Sequence, residues 1–248
     1  MNRFTKKRHG KGQLNSADGT VFIGKWQNDA MHGPGEYTYQ DGTTFIGNFE
    51  NDVPEDYGQI FSKSGDQYIG RVKDGKREGC GQNTWGNGDF YLGQWTNDKM
   101  IGKGTFSWAN GSCYTGEFKN GKMEGYGDLN YGSGDLYSGE FKKNKRSGIG
   151  KIYYKNKNKY LGEWENDVKS GSGLFTWSDG KSYEGDYVDN EMNGSGTFFY
   201  KNGDKFIGEF NQGEKNGYGE FFYSYGQNSD PTKDPESLTG TWSGFAMS

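Results

Sequence analysis

Apolar and polar positions alternate along most of the chain, and the alternation recurs with a fixed period. An aromatic residue, a glycine two positions later and a further large apolar residue two positions after that occur at Phe22–Trp26 and again at Phe45–Phe49. The step of 23 residues then continues without insertion or deletion. A fixed period of this length is typical of tandem arrays of one small structural unit. The nine leading aromatics are Phe22, Phe45, Tyr68, Tyr91, Tyr114, Tyr137, Tyr160, Tyr183 and Phe206.

Each half of the repeat has the period of a β-strand. Eleven residues after the leading aromatic comes Gly-x-Gly, as at Gly33 and Gly35, followed by large side chains at alternate positions, as at Tyr37 and Tyr39. Alternation with a period of two predicts strands, and no window shows the spacing of three and four residues that a helix requires. In one repeat Asp56 stands where the first glycine is expected. Each repeat is therefore predicted to be one β-hairpin.

Turn-forming dipeptides separate the alternating segments. Asn-Gly, Asn-Asp and Asp-Gly pairs tolerate the positive φ angles of tight turns. Pairs within repeats include Asn28-Asp29, Asn97-Asp98, Asn120-Gly121 and Asn166-Asp167, and pairs between repeats include Asp18-Gly19, Asp41-Gly42, Asn87-Gly88, Asn110-Gly111, Asp179-Gly180 and Asn202-Gly203. The predicted fold class is all-β, an elongated single-layer antiparallel sheet of tandem 23-residue hairpins.

The two faces of this sheet are expected to differ. Residues two apart share a face, so Phe22, Gly24 and Trp26 point to one side, and the glycines leave room for neighbouring rings to lie flat across the backbone. The opposite face carries Lys, Glu, Asn and Thr and is expected to be solvated.

The repeat register sets the expected domain boundaries. Residues 1–21 form a basic segment and half a repeat, and residues 22–226 form nine tandem repeats. Residues 227–237 form a polar loop containing Pro231 and Pro235, and residues 238–248 form a degenerate cap. Either the array starts with an edge strand guarded by the basic residues Arg3, Lys6, Lys7 and Arg8, or a first strand precedes Met1.

Composition narrows the functional class. Only 30% of the chain is hydrophobic, but 17% is aromatic, which argues against disorder. The net charge of −4, from 33 acidic and 29 basic residues, does not favour nucleic-acid binding. We find no apolar run long enough for a membrane span or a signal peptide, so we expect a cytoplasmic location and two free thiols, Cys80 and Cys113.

No catalytic group is predicted. His9 and His32 are the only histidines, and they form no Ser-His-Asp or Cys-His arrangement. Cys80 and Cys113 fall in different repeats at positions that fit neither a disulfide nor a zinc site. The Gly-x-Gly pairs lie inside strands instead of ahead of a helix, so they are not phosphate loops. We expect no enzyme activity, no metal and no cofactor.

The segment Tyr114-Thr-Gly116-Glu-Phe118, followed by Asn120-Gly121 and Gly125-Tyr-Gly127, resembles the MORN repeat, named for membrane occupation and recognition nexus. The resemblance covers nearly the whole chain. It implies an extended array of hairpins that serves as a protein-binding scaffold, as in ciliary radial spoke heads and cytoskeletal complexes. Some members have been proposed to bind phosphoinositides. Others precede a catalytic domain, and we expect no such domain here.

The aromatic face is the expected binding surface. Its rings chiefly hold hairpin to hairpin, but a single-layer sheet has no second sheet to cover them. We expect a scaffold in a cytoskeletal or axonemal complex, located in the cytoplasm at the cytoskeleton or the axoneme of a cilium or flagellum. The residues expected to line the partner-binding surface are Trp85, Trp108, Tyr131, Tyr154, Trp177 and Tyr200.

Two alternatives remain open at the level of sequence. A basic group could hold an acidic partner or an anionic phosphoinositide, which would make the protein a peripheral membrane adaptor, although a solvated turn region explains the same residues. Self-association through a terminal strand is the second alternative. The basic residues are Lys142, Lys143, Lys145, Arg146, Lys157 and Lys159.

Overall fold

The computed structural model describes residues 7–224, residues 237–244 and the backbone of Ala246–Met247. The chain forms two compact units, Met1–Lys122 and Met123–Ser248, here called the N-terminal and C-terminal units. The predicted basic residues Arg3 and Lys6 and all of the predicted loop 227–237 except Ser237 lie outside the described residues. None of the described residues form a helix long and apolar enough to cross a membrane.

Strands of seven and nine residues alternate along both units. In the N-terminal unit they are β1 Gly10–Asn15, β2 Val21–Gln27, β3 Ala30–Thr38, β4 Thr44–Glu50, β5 Val53–Phe61, β6 Gln67–Lys73, β7 Lys76–Thr84, β8 Phe90–Thr96, β9 Lys99–Ser107 and β10 Cys113–Lys119. The remaining strands are β11 Lys122–Asn130, β12 Leu136–Lys142, β13 Lys145–Tyr153, β14 Lys159–Glu165, β15 Val168–Thr176, β16 Ser182–Val188, β17 Glu191–Phe199, β18 Lys205–Asn211, β19 Glu214–Phe222, β20 Ser237–Ser243 and β21 Ala246–Met247.

Within each unit the described pairings join strands that are neighbours in sequence, and every pairing is antiparallel. The predicted fold class, a single-layer antiparallel sheet of tandem hairpins, is thus confirmed in each unit. A seven-residue strand, a two-residue turn, a nine-residue strand and a five-residue connection together make one 23-residue repeat.

A β-bulge accommodates the longer second strand. In the hairpin of β2 and β3, Gly24 pairs with Gly35, but Trp26 pairs with Met31, so the register shifts between them. The first glycine of the Gly-x-Gly motif lies in this bulge with a positive φ, +73° at Gly33. Asp56 adopts the same backbone conformation, with φ +65°, in the repeat that lacks this glycine. Asp is among the few residues with a side chain that enter this region at modest cost.

The turns follow the predicted chemistry. Asn28 and Asp29 both have positive φ, 53° and 74°, which is the type I′ geometry that matches the twist of the flanking strands. The connection between repeats instead places positive φ at one residue, usually glycine. Lys157 occupies that position with φ 70°.

Asp and Asn side chains at both edges also tie each repeat to its neighbour. Asp52 accepts a hydrogen bond from the Met31 backbone N–H at 2.7 Å, and Asp89 accepts one from the Ala109 N–H at 2.9 Å. These carboxylates satisfy backbone donors that the strand ladder leaves without a partner. The polar residues of the turns therefore stabilise the lateral stacking of hairpins.

The core of the sheet is a row of rings folded over glycines, as predicted. A Cβ atom at Gly162 would lie 2.5 Å from the Tyr160 hydroxyl, and one at Gly173 would lie 2.5 Å from Tyr160 Cε2. Gly162 and Gly173 are opposite one another on paired strands. The Tyr160 ring thus covers a gap that only two facing glycines provide, and its hydroxyl donates to the Glu163 carbonyl at 2.9 Å, beside the bulge.

Leading and second large residues of the repeats form this inner row, and none is more than 8% exposed. Tyr160 contacts Trp164 of its own repeat and Tyr187 of the next edge-to-face, both at 5.2 Å between ring centroids. Each such pair contributes about 0.5–1.5 kcal/mol beyond its buried area. The inner row consists of Phe22, Trp26, Phe45, Phe49, Tyr68, Val72, Tyr91, Trp95, Tyr114 and Phe118, and of Tyr137, Phe141, Tyr160, Trp164, Tyr183, Tyr187, Phe206, Phe210 and Trp242.

This packing corrects the expectation that the aromatic face depends on another molecule for cover. The inner rings bury one another within each unit.

The expected polar character of the opposite face is also wrong in part. In the N-terminal unit, Ile23, Ile46, Ile69 and Leu92 are between 41% and 53% exposed on that face. Each follows a leading aromatic directly, so it points away from the rings. Strands between them place Gln59 and Gln82 beside these aliphatic side chains.

Candidate functional site

The six residues predicted to bind a partner lie on the ring-bearing face, at the start of the connections between repeats. The Trp108 N–H donates to the Ser112 carbonyl at 2.9 Å, and the Trp108 carbonyl accepts from the Gly111 N–H at 3.0 Å. Each five-residue turn thus fixes the backbone of its first residue. All six side chains are half-buried: Trp85, Trp108, Tyr131, Tyr154, Trp177 and Tyr200.

Five of these side chains, all except Tyr131, belong to an outer row of rings beside the inner row. In the C-terminal unit the outer row consists of Tyr154, Phe175, Trp177, Phe198, Tyr200, Phe221 and Tyr223, with successive ring centroids 4.7 to 6.1 Å apart. Burial raises the pKa of the Tyr154 and Tyr200 hydroxyls, and it does the same for Tyr131.

The N-terminal unit has shorter stretches of the same row. Trp85, Phe106 and Trp108 are in series, with centroid distances of 5.2 Å and 4.8 Å, and Tyr37 contacts Tyr39 at 4.6 Å. Where Phe106 stands in its repeat, the preceding repeat has Asn83, which is buried. We therefore find the most continuous outer row in the C-terminal unit.

A third row of side chains lies across the rings. It is formed by the second residue of each nine-residue strand and is here called the capping row. The capping row contains Met, Pro, Arg and Lys: Arg8, Met31, Pro54, Arg77 and Met100, and Met123, Arg146, Lys169, Met192 and Lys215. Arg8 precedes β1 and occupies the equivalent position.

The three arginines of the capping row each have a carboxylate partner and an indole ring. Arg77 pairs with Asp98 at 3.0 Å and lies 4.4 Å from the Trp95 ring centroid. Arg146 pairs with Asp167 at 3.2 Å and lies 4.1 Å from Trp164. Arg8 pairs with Asp29 at 3.5 Å and lies over Trp26. In each case the aspartate is the second turn residue of the following repeat.

The two lysines of the capping row also lie near rings, but neither has such a carboxylate among the residues that the structure describes. Lys169 Nζ lies 4.8 Å from Phe175, and Asn190 occupies the place of the aspartate and accepts from the Lys169 backbone N–H. Lys215 Nζ lies 4.7 Å from Phe206 and 4.9 Å from Trp242. At Lys215 the N–H that donates to the lysine carbonyl belongs to Gly244, the first residue after β20, which has no side chain to offer. Desolvation lowers the pKa of both lysines, and Arg146 lowers that of Lys169 further.

Lys215 also borders a cavity of about 420 Å³ on the ring-bearing face. Outer-row rings Trp177, Phe198 and Tyr200 form one wall, and Met192 and inner-row Phe210 form another. Lys181, on the rim, already pairs with Asp179 at 3.0 Å. Glu214 also lines the cavity, but among the described residues Lys215 forms no ion pair. The cavity therefore combines apolar walls with one ammonium that has no ion-pair partner in the described part of the chain.

Sequence reasoning missed this difference between arginines and lysines. The signal was present as a spacing of 21 residues, which separates Arg77 from Asp98 and Arg146 from Asp167, and equally Lys169 from Asn190. The same spacing could not have identified Gly244, because residues inserted before β20 interrupt the register.

The predicted basic group is not one surface. Lys142, Lys143 and Lys145 lie at the turn that opens β13, whereas Lys157 lies in the connection after β13 and Lys159 opens β14. A nine-residue strand separates the two edges by about 27 Å. Arg146 is held by Asp167 and Trp164. The expectation of a single six-residue patch is therefore corrected to two small groups at opposite edges.

The remaining candidate residues stay apart. Cys80 is exposed and Cys113 half-buried, and both are free thiols. His9 is exposed and His32 half-buried, and each directly precedes a glycine with positive φ, Gly10 and Gly33 respectively. Within the described part of the chain, no three His, Cys, Asp or Glu side chains are grouped so that they could hold a metal ion.

Comparison with protein families identifies the repeat. The family model described as MORN repeat matches residues 6–21, 22–44, 68–90, 91–113, 114–136, 137–159, 160–182, 183–205 and 206–226. The unmatched repeat, residues 45–67, is the one in which Asp56 replaces the bulge glycine. Comparison with curated proteins gives no match.

Several solved structures are similar at low sequence identity. A mutant TCP10 domain of Danio rerio CPAP is 7% identical, with 80% of this chain and 93% of that chain covered and a TM-score of 0.44. The wild-type domain in complex with a peptide of Danio rerio STIL is 8% identical, with 93% of both chains covered and a TM-score of 0.43. The SAS-4 TCP domain of Drosophila melanogaster with a proline-rich motif of Ana2 is 9% identical, with 75% and 99% covered and a TM-score of 0.39.

Proposed function

The chain belongs to the MORN repeat family, and on that basis we propose that it is a non-catalytic protein-binding scaffold whose outer row of rings holds segments of partner proteins. The observation that carries the proposal is the half-burial of the outer row. The inner rings are buried by their contacts with one another. Trp177 and Tyr200 keep solvent-exposed surface, and they lie at hydrogen-bonded turns beside a cavity. Rings that are fixed in place and partly desolvated lose little entropy on binding, which favours their use as anchors.

The proposal extends to the setting of the protein. We propose that the partners are proteins of a cytoskeletal or ciliary assembly such as a radial spoke, and that the protein is located in the cytoplasm with that assembly. This step rests on the resemblance to members of the family in ciliary radial spoke heads and cytoskeletal complexes.

Cross-linking mass spectrometry in the source cells would identify the segments in contact with the outer row. Binding of an identified segment would then be measured by calorimetry with the complete chain, with Trp177→Ala and with Tyr200→Ala. We expect each substitution to weaken binding by at least about tenfold, because truncation of a central aromatic anchor commonly costs 2 kcal/mol or more.

Tyr126→Ala is the matched control. Tyr126 is 59% exposed on the opposite face, so its loss removes an aromatic ring without altering the outer row. Circular dichroism and thermal unfolding would establish that each variant is folded. If folded Trp177→Ala and Tyr200→Ala variants bind as the unaltered chain does, the outer row is not the binding surface.

The membrane alternative has weaker support, because the two basic groups lie at opposite edges of the sheet. Flotation with phosphoinositide-containing liposomes at increasing salt tests it directly. An electrostatic lipid reader would bind at low salt and lose binding as salt rises. Strong flotation combined with no protein partner would favour the alternative over the scaffold.

A further inference from the structure

The capping row shows how this fold treats a cation that lies on its rings. Each arginine of the capping row forms an ion pair with an aspartate of the next turn, with N–O distances of 3.0 to 3.5 Å for Arg8, Arg77 and Arg146. The neighbouring turn instead places Asn190 next to Lys169 and Gly244 next to Lys215, and neither residue carries a charge. Among the residues that the structure describes, neither lysine has an ion pair. For an ammonium among rings without a counter-charge, cation–π attraction offsets only part of the desolvation cost.

The surroundings of Lys215 favour an external anion. Its Nζ lies within 5.5 Å of four ring centroids, those of Tyr200, Phe206, Phe221 and Trp242. The cavity beside it is open to solvent and is lined by Trp177, Phe198 and Met192. Glu214 is also at the cavity, but it makes no ion pair with Lys215 in the described part of the chain.

The chemistry of the cavity selects among anions. One ammonium in an apolar setting matches a singly charged group, whereas a phosphate needs several donors and is usually held by a guanidinium fork or by backbone N–H groups. The walls would pack against aliphatic or aromatic carbon. A carboxylate next to large apolar side chains meets both requirements, and Asp and Glu supply it in proteins.

We propose that the cavity at Lys215 receives the carboxylate of an acidic side chain within an apolar segment of a partner protein, which supplies the counter-charge that the arginines of the capping row obtain from this chain. The inference rests on the proposed scaffold function and names the chemistry of its partner. Lys169 offers a second ammonium of the same kind two repeats away, about 19 Å along the sheet.

The probe is a displayed library of random peptides selected against the complete chain. We expect the selected peptides to be enriched in Asp or Glu next to large apolar residues. Synthetic copies would be titrated against the unaltered chain and against Lys215→Met. Methionine occurs naturally in the capping row, for example as Met192, so this variant should fold. Loss of a charged partner in a desolvated site should weaken binding by about tenfold or more.

A second variant leaves Lys215 in place. Gly244→Asp introduces the aspartate that the arginines have, at a position whose φ of +64° resembles the +74° of Asp29. The new carboxylate should compete with that of the peptide and weaken binding, whereas Gly244→Asn should leave binding within about threefold, since it adds no charge. Lys151→Met is the charge control, because Lys151 is exposed on the opposite face.

The Trp177→Ala variant distinguishes a failure of the carboxylate site from a failure of the proposed scaffold function. If it abolishes peptide binding while Lys215→Met and Gly244→Asp bind normally, or if the selected peptides show no enrichment in acidic residues, the carboxylate site is refuted and the scaffold function stands. If no peptide is selected, or if neither Trp177→Ala nor Lys215→Met affects binding, both are refuted. Anionic vesicles bound in a Lys215-dependent manner, with peptide binding unaffected, would assign the site to lipid and overturn the proposal.

Discussion

Single hydroxyl groups distinguish otherwise equivalent rings of the inner row. Tyr183 donates its hydroxyl hydrogen to the Asp186 carbonyl at 3.1 Å, as tyrosines at the same position in other repeats do with the residue three further on. Tyr187 instead occupies the second aromatic position, and its buried hydroxyl has no hydrogen-bond partner among the residues that the structure describes. Elsewhere that position holds a tryptophan whose indole N–H donates to a glycine carbonyl: Trp164 to Gly150 at 3.2 Å, Trp95 to Gly81 at 3.1 Å and Trp242 to Gly219 at 3.3 Å.

Tyr187→Phe is therefore expected to stabilise the protein. Removing a buried hydroxyl without a partner should raise the free energy of unfolding by about 1 kcal/mol, because the desolvation cost disappears with the group. The equivalent position in other repeats already holds phenylalanine, for example Phe141 and Phe210. Urea unfolding monitored by circular dichroism measures the change.

The matched control is Tyr183→Phe, which removes a hydroxyl with a partner and leaves the Asp186 carbonyl without one. It should lower the free energy of unfolding by about 1 kcal/mol. Equal destabilisation by the two substitutions would show that the Tyr187 hydroxyl is satisfied in solution.

At the scale of the hairpin, the two glycines of Gly-x-Gly have different roles. The first adopts positive φ in the bulge, and Asp56 shows that another residue can do so. The second faces the glycine of the neighbouring strand beneath a ring, where a Cβ would meet both the ring and the opposite backbone. The motif thus combines a conformational requirement with a steric one.

Gly162→Ala tests the steric requirement. Its Cβ would lie 2.5 Å from the Tyr160 hydroxyl and 2.6 Å from the Gly173 Cα, so the inner ring must move out of the row. We expect a loss of about 3 kcal/mol or more in the free energy of unfolding, at the upper end of overpacking effects.

Gly180→Ala is the control for backbone conformation alone. Gly180 has a positive φ of 95°, but a Cβ there would meet nothing within 4 Å. It should cost only about 1–2 kcal/mol. Thermal unfolding of both variants measures the difference, and equal losses would contradict the steric role of the paired glycines.

The sequence predicts the strands and turns well, because the alternation of apolar and polar positions, the recurring glycines and the Asn-Asp pairs all lie within short stretches of the chain. It also predicts the ring-over-glycine core, since Tyr160 and Gly162 recur at a spacing of two. It does not reveal that inner rings cover themselves, because edge-to-face contact between Tyr160 and Tyr187 joins different repeats. The division of the basic group likewise depends on which strand end each residue occupies. At Lys215 the lack of an ion pair within the described residues depends on the glycine of the neighbouring turn, Gly244.

At the scale of the whole molecule, the same packing arrangement is repeated along the chain. A property of one buried ring therefore recurs at the equivalent rings of other repeats. Tyrosines lead six of the nine repeats, and burial raises the pKa of Tyr91 to about 12 from an ordinary 10.0. Burial likewise holds the pKa of Tyr68, Tyr137, Tyr160 and Tyr183 above the usual range. The folded chain therefore retains phenolic protons that the unfolded chain releases at high pH.

This retention predicts alkaline instability. Below pH 10 the phenols are neutral in both states, so the contribution of each buried tyrosine is fully present. As pH rises from 10 towards about 12, the unfolded chain releases the Tyr91 proton while the folded chain keeps it, so the free energy of unfolding falls. A raised folded-state pKa gives this sign, because the folded state binds more protons than the unfolded state in that range.

The contribution of one tyrosine can be isolated with Tyr91→Phe, since Phe22, Phe45 and Phe206 show that the fold accepts phenylalanine there. Lysines and the other tyrosines titrate in both proteins, so the difference between the two pH profiles reports Tyr91 alone. We expect the variant to lose on the order of 2 kcal/mol less than the unaltered chain between pH 10 and about 12. Parallel profiles would mean that Tyr91 titrates normally and that its ring is open to water, contrary to the self-covered inner row.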